Sequence, residues 1–284
     1  MRSQWECLLQ NLGEWHGSFT SFSPHRELLE DTPTIVSLED LNDKQTIRQT
    51  VHRVLPSTNG AAVPLVQDKV LEYSSLGQDV MFFENGAFSQ GSIQLTPGSE
   101  FEAELGLIDG DRRLRIVQMF DQTGQLDRLT LIRERRASAP MAERPPLTVD
   151  DLVGEWQGEA VKIYASGRSP DIYPTRIQLE QNGSGQITQQ ININQGTETH
   201  NIRSTARIEG SSLYFDEGPR PSQVLLLPDG ASATFPQRLK EVGRLFLEVG
   251  WLLQPDLRQR LIRSYNDQGQ WFALTLVTER KTKT

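Results

Sequence analysis

Short runs in which apolar and polar residues alternate dominate the chain. In TRIQLEQNG, Ile177 and Leu179 fall on one face, and in QITQQININ Ile187, Ile191 and Ile193 do the same. A period of two belongs to a strand with one buried face. Turn dipeptides separate the runs, at Asn59-Gly60, Asn85-Gly86, Asp109-Gly110, Asn182-Gly183 and Asp229-Gly230. These residues tolerate the positive φ that tight hairpins need. Helical spacing is confined to two places. Trp5, Leu8, Leu9 and Leu12 share a helical face near the N-terminus, and Thr148 with Asp151 has the form of an N-cap before a single turn. The second half alone holds about ten strand candidates, more than an eight-stranded barrel requires. The pattern predicts an all-β protein of antiparallel meanders, each preceded by a short helix.

The meander is written twice. LGEWHGSF from Leu12 answers VGEWQGEA from Val153, so that Trp15 matches Trp156 and Gly13 and Gly17 match Gly154 and Gly158. Further on, FFENG (Phe82 to Gly86) answers YFDEG (Tyr214 to Gly218), and IQLTPG (Ile93 to Gly98) answers LLLPDG (Leu225 to Gly230). The ends agree best, with Phe120, Gly124 and Arg135 matching Tyr265, Gly269 and Arg280. Four matches in one order indicate a tandem duplication. ASAPMAERPP between the copies is small, polar and Pro-rich, as a linker is. The expected organisation is one domain over 1–136, a linker over 137–146 and a second domain over 147–284.

Composition narrows the class of function. The 284 residues are 36% hydrophobic and 23% charged, with a net charge of −8. No basic block is present to displace counterions from a phosphate backbone, which argues against nucleic acid as a partner. The single cysteine, Cys7, allows no disulfide within the chain and no paired-cysteine zinc site. The four histidines, His16, His25, His52 and His200, show no metal-ligand spacing. There is no GxSxG elbow, P-loop or GxGxxG, and no apolar stretch of membrane-spanning length. The N-terminus lacks the apolar core of a signal peptide, so a cytoplasmic protein is expected.

A short helix, Gly-x-Trp on a first strand, a meander and an arginine on the last strand together resemble the calycin superfamily, which includes lipocalins and fatty-acid-binding proteins. In that superfamily a first-strand Trp packs against a last-strand Arg. The resemblance implies latches between Trp15 and Arg135 and between Trp156 and Arg280, where a guanidinium on indole helps close each barrel. Over nearly its whole length the chain also resembles a family of uncharacterised calycin-like proteins of cyanobacteria and plastids, most clearly at GEWHGSF, TIRQTVHR, FLEVGWLLQPDLRQRLIRSY and LTLVTER. It is more distantly similar to the S-type and T-type phycobiliprotein lyases, single calycin barrels that attach a linear tetrapyrrole to a phycobiliprotein. The resemblance implies two tandem up-and-down barrels, a cytoplasmic or plastid-stromal setting and a bilin as ligand class. No lyase motif matches residue by residue, so no catalytic residue is carried over.

Ligand-binding candidates lie on one strand of each copy. In TIRQTVHRV, Arg48, Thr50 and His52 share a face opposite Ile47, Gln49, Val51 and Arg53. NIRSTARI repeats this with Arg203, Thr205 and Arg207 opposite Ile202, Ser204 and Ala206. With the isoleucine face inward, the arginines are solvated surface. With the arginine face inward, Arg48, His52, Arg203 and Arg207 would hold a carboxylate in a water-poor cavity, by the charge-assisted contacts that guanidinium makes well. FLEVGWLLQPDL around Trp251 either lines a cavity or fills a barrel. The expected function is a carrier of a hydrophobic, carboxylate-bearing small molecule, with a tetrapyrrole (bilin) as the ligand the resemblance implies and no other cofactor required. The alternatives are a chromophore lyase with a phycobiliprotein partner, and a photosynthetic assembly scaffold with filled barrels. His52 and the richer cation set point to the first domain as the functional one.

Overall fold

The computed structural model describes residues 2–55, 65–139, 143–195, 198–218, 220–239 and 242–282. In the first copy a short helix, α1 (Gln4–Leu8), leads into β1 (Gly13–Phe22), β2 (Leu28–Leu41), β3 (Thr46–Leu55), β4 (Leu65–Tyr73), β5 (Val80–Phe82), β6 (Phe88–Gly91), β7 (Phe101–Asp109), β8 (Arg112–Phe120) and β9 (Leu126–Arg136). In the second, α2 (Val149–Leu152) precedes β10 (Gly154–Tyr164), β11 (Asp171–Asn182), β12 (Gln186–Gln195), β13 (Glu198–Glu209), β14 (Ser212–Phe215), β15 (Ser222–Leu226), β16 (Ala231–Pro236), β17 (Leu245–Gln254), β18 (Leu257–Tyr265) and β19 (Trp271–Lys281). Both helices start with a reciprocal capping box, Ser3 with Glu6 and Thr148 with Asp151.

The first and last strands of each copy pair, β1 with β9 and β10 with β19. β10 to β19 form a closed ten-stranded barrel. The first copy instead forms a nine-stranded curled sheet in the order β4-β3-β2-β1-β9-β8-β7-β6-β5, open between β4 and β5. The lipocalin-like meander expected from sequence is present twice, but only one copy closes. The difference lies in one connection. The buried isoleucines Ile47 and Ile187 face Tyr73 and Ala206 respectively, which makes those two equivalent. From Ala206 the second copy turns at Gly210 and pairs Arg207 with Tyr214. The ladders make Phe82 the equivalent of Leu226 and not of Tyr214, since Phe82 pairs with Phe88 and Phe88 with Gly106 as Leu226 pairs with Ser232 and Ser232 with Gly250. β5 thus corresponds to β15, Ser74–Asp79 forms no ladder, and among the described residues the first copy has no counterpart of β14. In the second barrel β14 bridges β13 to β15, and without that strand the first sheet stays open between β4 and β5.

The repeated Gly-x-Trp-x-Gly now has a physical reading. Gly13 and Gly154 take φ of 113° and 121°, which only glycine adopts without strain. At Gly17 and Gly158 a Cβ would collide with the carbonyls of Arg133 and Thr278 on the closing strand, so the pairing strands approach only because no side chain stands between them. The tryptophan between them is fully buried in both copies. Its indole N–H donates to the carbonyl of Asn11 in one copy and Leu152 in the other, each at 2.9 Å.

The latches differ from expectation by one residue. Trp15 lies opposite Arg136 in the ladder and is stacked by Arg136 at 4.0 Å and Arg113 at 4.4 Å. Trp156 lies opposite Lys281 and is stacked by Arg258 at 4.3 Å. Residues directly opposite share a face, so the neighbouring Arg135 and Arg280 point away. They bond to the Ala139 carbonyl and to Asp256 on the outside.

The two copies pack through their outer faces. Phe101, Leu105, Leu107, Ile116 and Leu131 form one continuous core with Leu247, Val249, Trp251, Leu261 and Tyr265. Trp251 therefore belongs to the joint between the halves and not to a barrel interior. Arg144 of the linker stacks on it at 4.7 Å and pairs with Asp109 at 2.8 Å. Main-chain bonds also cross, from Leu95 to Gly269 and from Trp271 to Ile93, both at 2.8 Å. No helix among the described residues is long and apolar enough to cross a membrane.

Candidate functional site

Each copy buries a four-residue ionic network beside its tryptophan. In the first, Arg113 Nε donates to Glu134 at 2.6 Å, Arg115 donates to both oxygens of Glu134 at 2.9 and 3.0 Å, and Arg115 Nη1 reaches Glu104 at 2.6 Å. In the second, Arg258 and Arg260 meet Glu279 at 2.5 and 2.9 Å, and Arg260 meets Glu248 at 3.1 Å. Strand alternation places these side chains together, since the two arginines of β8 or β18 are two residues apart and face the glutamate of the last strand. Two cations and two anions cancel, as burial demands. Burial alone would lower both guanidinium pKa values. For Arg115 the carboxylates outweigh it and raise the pKa, whereas for Arg113 burial prevails and lowers it.

Here the copies diverge. In the first, Asn11 stands where the second has Leu152, accepts from Arg113 Nη1 at 3.3 Å and donates to the Gly86 carbonyl at 2.9 Å. Arg113 Nη2 is buried and has no hydrogen-bond partner among the described residues. Above this group lies a cavity of about 340 Å³. Leu8, Val36, Leu38, Phe82 and Phe88 form its apolar wall, Asn11, Gln49, Tyr73, Gln90, Arg113 and Arg115 supply polar atoms, and the carboxylates of Asp79 and of Glu104, the latter paired with Arg115, also line it. Leu71 and Leu76 stand at its rim, along the seam where β4 and β5 fail to pair. The Tyr73 hydroxyl donates to Gln49 at 3.3 Å, and burial pushes its pKa up. In the second barrel the equivalent region packs as a continuous apolar cluster that includes Leu152, Trp156, Ile177, Leu179, Ile187 and Phe215.

The candidates chosen from sequence lie elsewhere. Ile47 and Ala206 are fully buried, so the isoleucine-bearing face is the inward one. Arg48 pairs with Glu72 at 2.7 Å and His52 with Asp68 at 2.6 Å on the outer surface of β3 and β4. Arg207 pairs with Glu209 and Asp216, and Arg203 is exposed on the same outer face of β13. None of the four lines the cavity. The inward cations are Arg113 and Arg115, which the sequence reading did not single out. Their signal was present: RRLRIV and LRQRLI, each followed by LTLIRER or LTLVTER, keep two arginines and a glutamate in register across the duplication.

Fold and site thus define a protein of two tandem antiparallel meanders, one closed into a packed barrel and one left open beside a cavity of about 340 Å³. The chain belongs to the family known as domain of unknown function DUF3598, whose N-terminal model matches residues 1–139. A solved structure of a DUF3598 protein from Nostoc punctiforme is 52% identical, with a TM-score of 0.90, over 99% of this chain and 100% of that one. Residues 143–282 match the model for the C-terminal domain of biogenesis factor required for ATP synthase 1. An S-type phycobiliprotein lyase from Guillardia theta is 13% identical over 48% of this chain and 91% of its own, with a TM-score of 0.37. Comparison with curated proteins returned no match.

Proposed function

We propose that the chain binds a hydrophobic small molecule bearing a carboxylate, in the cavity of its first half. The observation that carries this reading is Arg113. Its buried Nη2 has no hydrogen-bond partner among the described residues, beside a cavity of mixed apolar and polar lining whose counterpart in the other copy is packed. A buried donor without an acceptor requires an explanation, and a ligand carboxylate would satisfy it after a side-chain shift that opens Nη2 to the cavity. The apolar remainder would lie against Val36, Leu38, Phe82 and Phe88. A fatty acid and the propionate of a tetrapyrrole both offer this chemistry. At about 340 Å³ the cavity is at the small end of the usual ~300–1,000 Å³ range, which favours a single chain; a tetrapyrrole would project through the seam.

Isothermal titration with palmitate and, separately, biliverdin tests the proposal. Saturable one-to-one binding of either is expected. Arg113→Gln should weaken it about tenfold or more, the weight of a charge-assisted hydrogen bond. Leu71→Trp should block the seam from a half-exposed position without disturbing the core. Failure of both ligands to bind at about 100 μM would sink the reading. If biliverdin binds, transfer to an apo-phycobiliprotein separates a lyase from a carrier.

A second reading is favoured by the family match over residues 143–282. In it the chain is an assembly factor for ATP synthase, and its packed second barrel presents a docking surface. Size-exclusion chromatography with purified ATP synthase subunits tests this, and no co-elution with any of them counts against it.

A further inference from the structure

Arg263 is an unusual residue at the joint between the halves. It lies on β18, is fully buried, and has no carboxylate partner among the described residues. Its Nη1 donates to the Asp79 carbonyl and to Ser89 Oγ, both at 3.3 Å. Its Nη2 donates to the carbonyls of Gly91 at 3.1 Å and Ser92 at 3.2 Å. Its Nε donates to the Tyr265 hydroxyl at 2.7 Å, which donates onward to Ser92 at 2.8 Å. The guanidinium rests on Trp271 at 3.7 Å. A planar fork with five donors can satisfy several carbonyls at once, as an ammonium cannot.

The exchange across the joint is unequal. Gln118 is the duplicate of Arg263, and it sends one bond the other way, to the Glu248 carbonyl at 3.3 Å. The carbonyls held by Arg263 bracket the β5–β6 hairpin, from Asp79 before β5 to Gly91 and Ser92 after β6. That hairpin needs outside support. β5 has three residues and its only strand partner among the described residues is β6; on its other edge the Gln4 side chain donates to the Phe82 carbonyl at 3.0 Å and accepts from the Phe82 N–H at 2.7 Å. So short a strand contributes little order of its own. Yet Val80, Phe82, Phe88 and Gln90 from this hairpin make one wall of the cavity.

We propose that Arg263 of the second barrel is a positioning residue for the cavity of the first half, clamping the β5–β6 hairpin by its backbone so that the cavity keeps its shape beside an open seam. The second barrel then serves as the strut for a site it does not line. That role rests on the reading of the cavity as a ligand site, whereas the clamp itself can be tested without ligand.

The test compares Arg263→Met with Leu247→Ala, which thins the same interface but leaves these carbonyl contacts in place. Amide hydrogen exchange is followed in residues 79–92 and in β10 to β12, and palmitate affinity is measured at a temperature where all variants are folded. Exchange in 79–92 should rise about tenfold or more in Arg263→Met, with β10 to β12 unchanged and no such local effect in Leu247→Ala. Affinity should fall about tenfold in Arg263→Met only. Unchanged exchange in 79–92, or an equal rise in both halves, overturns the clamp. If wild type binds no palmitate while exchange behaves as expected, the clamp stands and the cavity reading fails. Should Arg263→Met not fold, Arg263→Lys, which keeps the charge but loses the fork, is read by the same criteria.

Discussion

Glu134 is the carboxylate on which both buried arginines of the first half converge, so Glu134→Gln measures the weight of the duplicated ionic network. Burial alone would raise its pKa. The charges of Arg113 and Arg115 and their hydrogen bonds overcome burial and hold it at about 2. Against an unfolded value of about 4.3, this is a little over two units at 1.36 kcal/mol each, or about 3 kcal/mol favouring the charged native form. Removing the carboxylate charge also leaves two buried guanidinium groups undercompensated, a change that costs about 3–5 kcal/mol in comparable networks. At about 2–4 °C per kcal/mol, the variant should melt about 6–20 °C below wild type at pH 7. The pH dependence has a definite sign. Because the native pKa lies below the unfolded one, the stabilisation is complete above about pH 4.3 and fades toward pH 2, so the gap between the two proteins closes over that window. Calorimetric melts at pH 7, 5, 4 and 3 read this directly. A shift under about 2 °C at pH 7, or a gap that does not narrow with acid, would refute the reasoning. Glu279 is held low by Arg260 and Arg258 in the same way, so Glu279→Gln should show the same pattern.

Two further expectations follow from packing. Gly17→Ala and Gly158→Ala should each destabilise by about 1–3 kcal/mol or more in urea unfolding, since a Cβ at either meets the backbone of the closing strand. Gly183→Ala, with open space around it and no positive φ, should be close to neutral; similar losses at all three sites would refute the close-approach argument. Cys7 is buried against the first sheet, and burial pushes its thiol pKa up. Its reaction with Ellman's reagent should be at least about tenfold slower in native buffer than in urea, and equal rates would mean that the N-terminal helix does not stay docked.

The strands, the turns within the described residues and the helix caps were legible in the sequence because each is a local property, as was the duplication by repetition; the Asn59-Gly60 pair lies outside the described residues. Period-two alternation, Asn-Gly and Asp-Gly pairs, and a Thr or Ser three residues before an acid act over a handful of residues. Which face of β3 and β13 turned inward was undecided, because Ile47 and Arg48 alternate equally well either way. Burial of Ile47 and Val51 against the rest of the sheet decided it, and sent Arg48 and His52 to the surface. The latch was misplaced by one residue for a related reason: register between β1 and β9 depends on strands more than a hundred residues apart, and a one-residue shift exchanges the faces. The outer faces of β7 and β17 joined into one core, which explains why FLEVGWLLQPDL is so apolar although it lies at a joint and not in a lumen. Closure was the least readable feature of all. Both copies carry the latch of a barrel, but the first has no counterpart of β14 between Tyr73 and Phe82, and that missing strand separates an open sheet with a cavity from a closed, packed barrel. A ladder either forms or fails along its whole seam, and only the folded arrangement shows which.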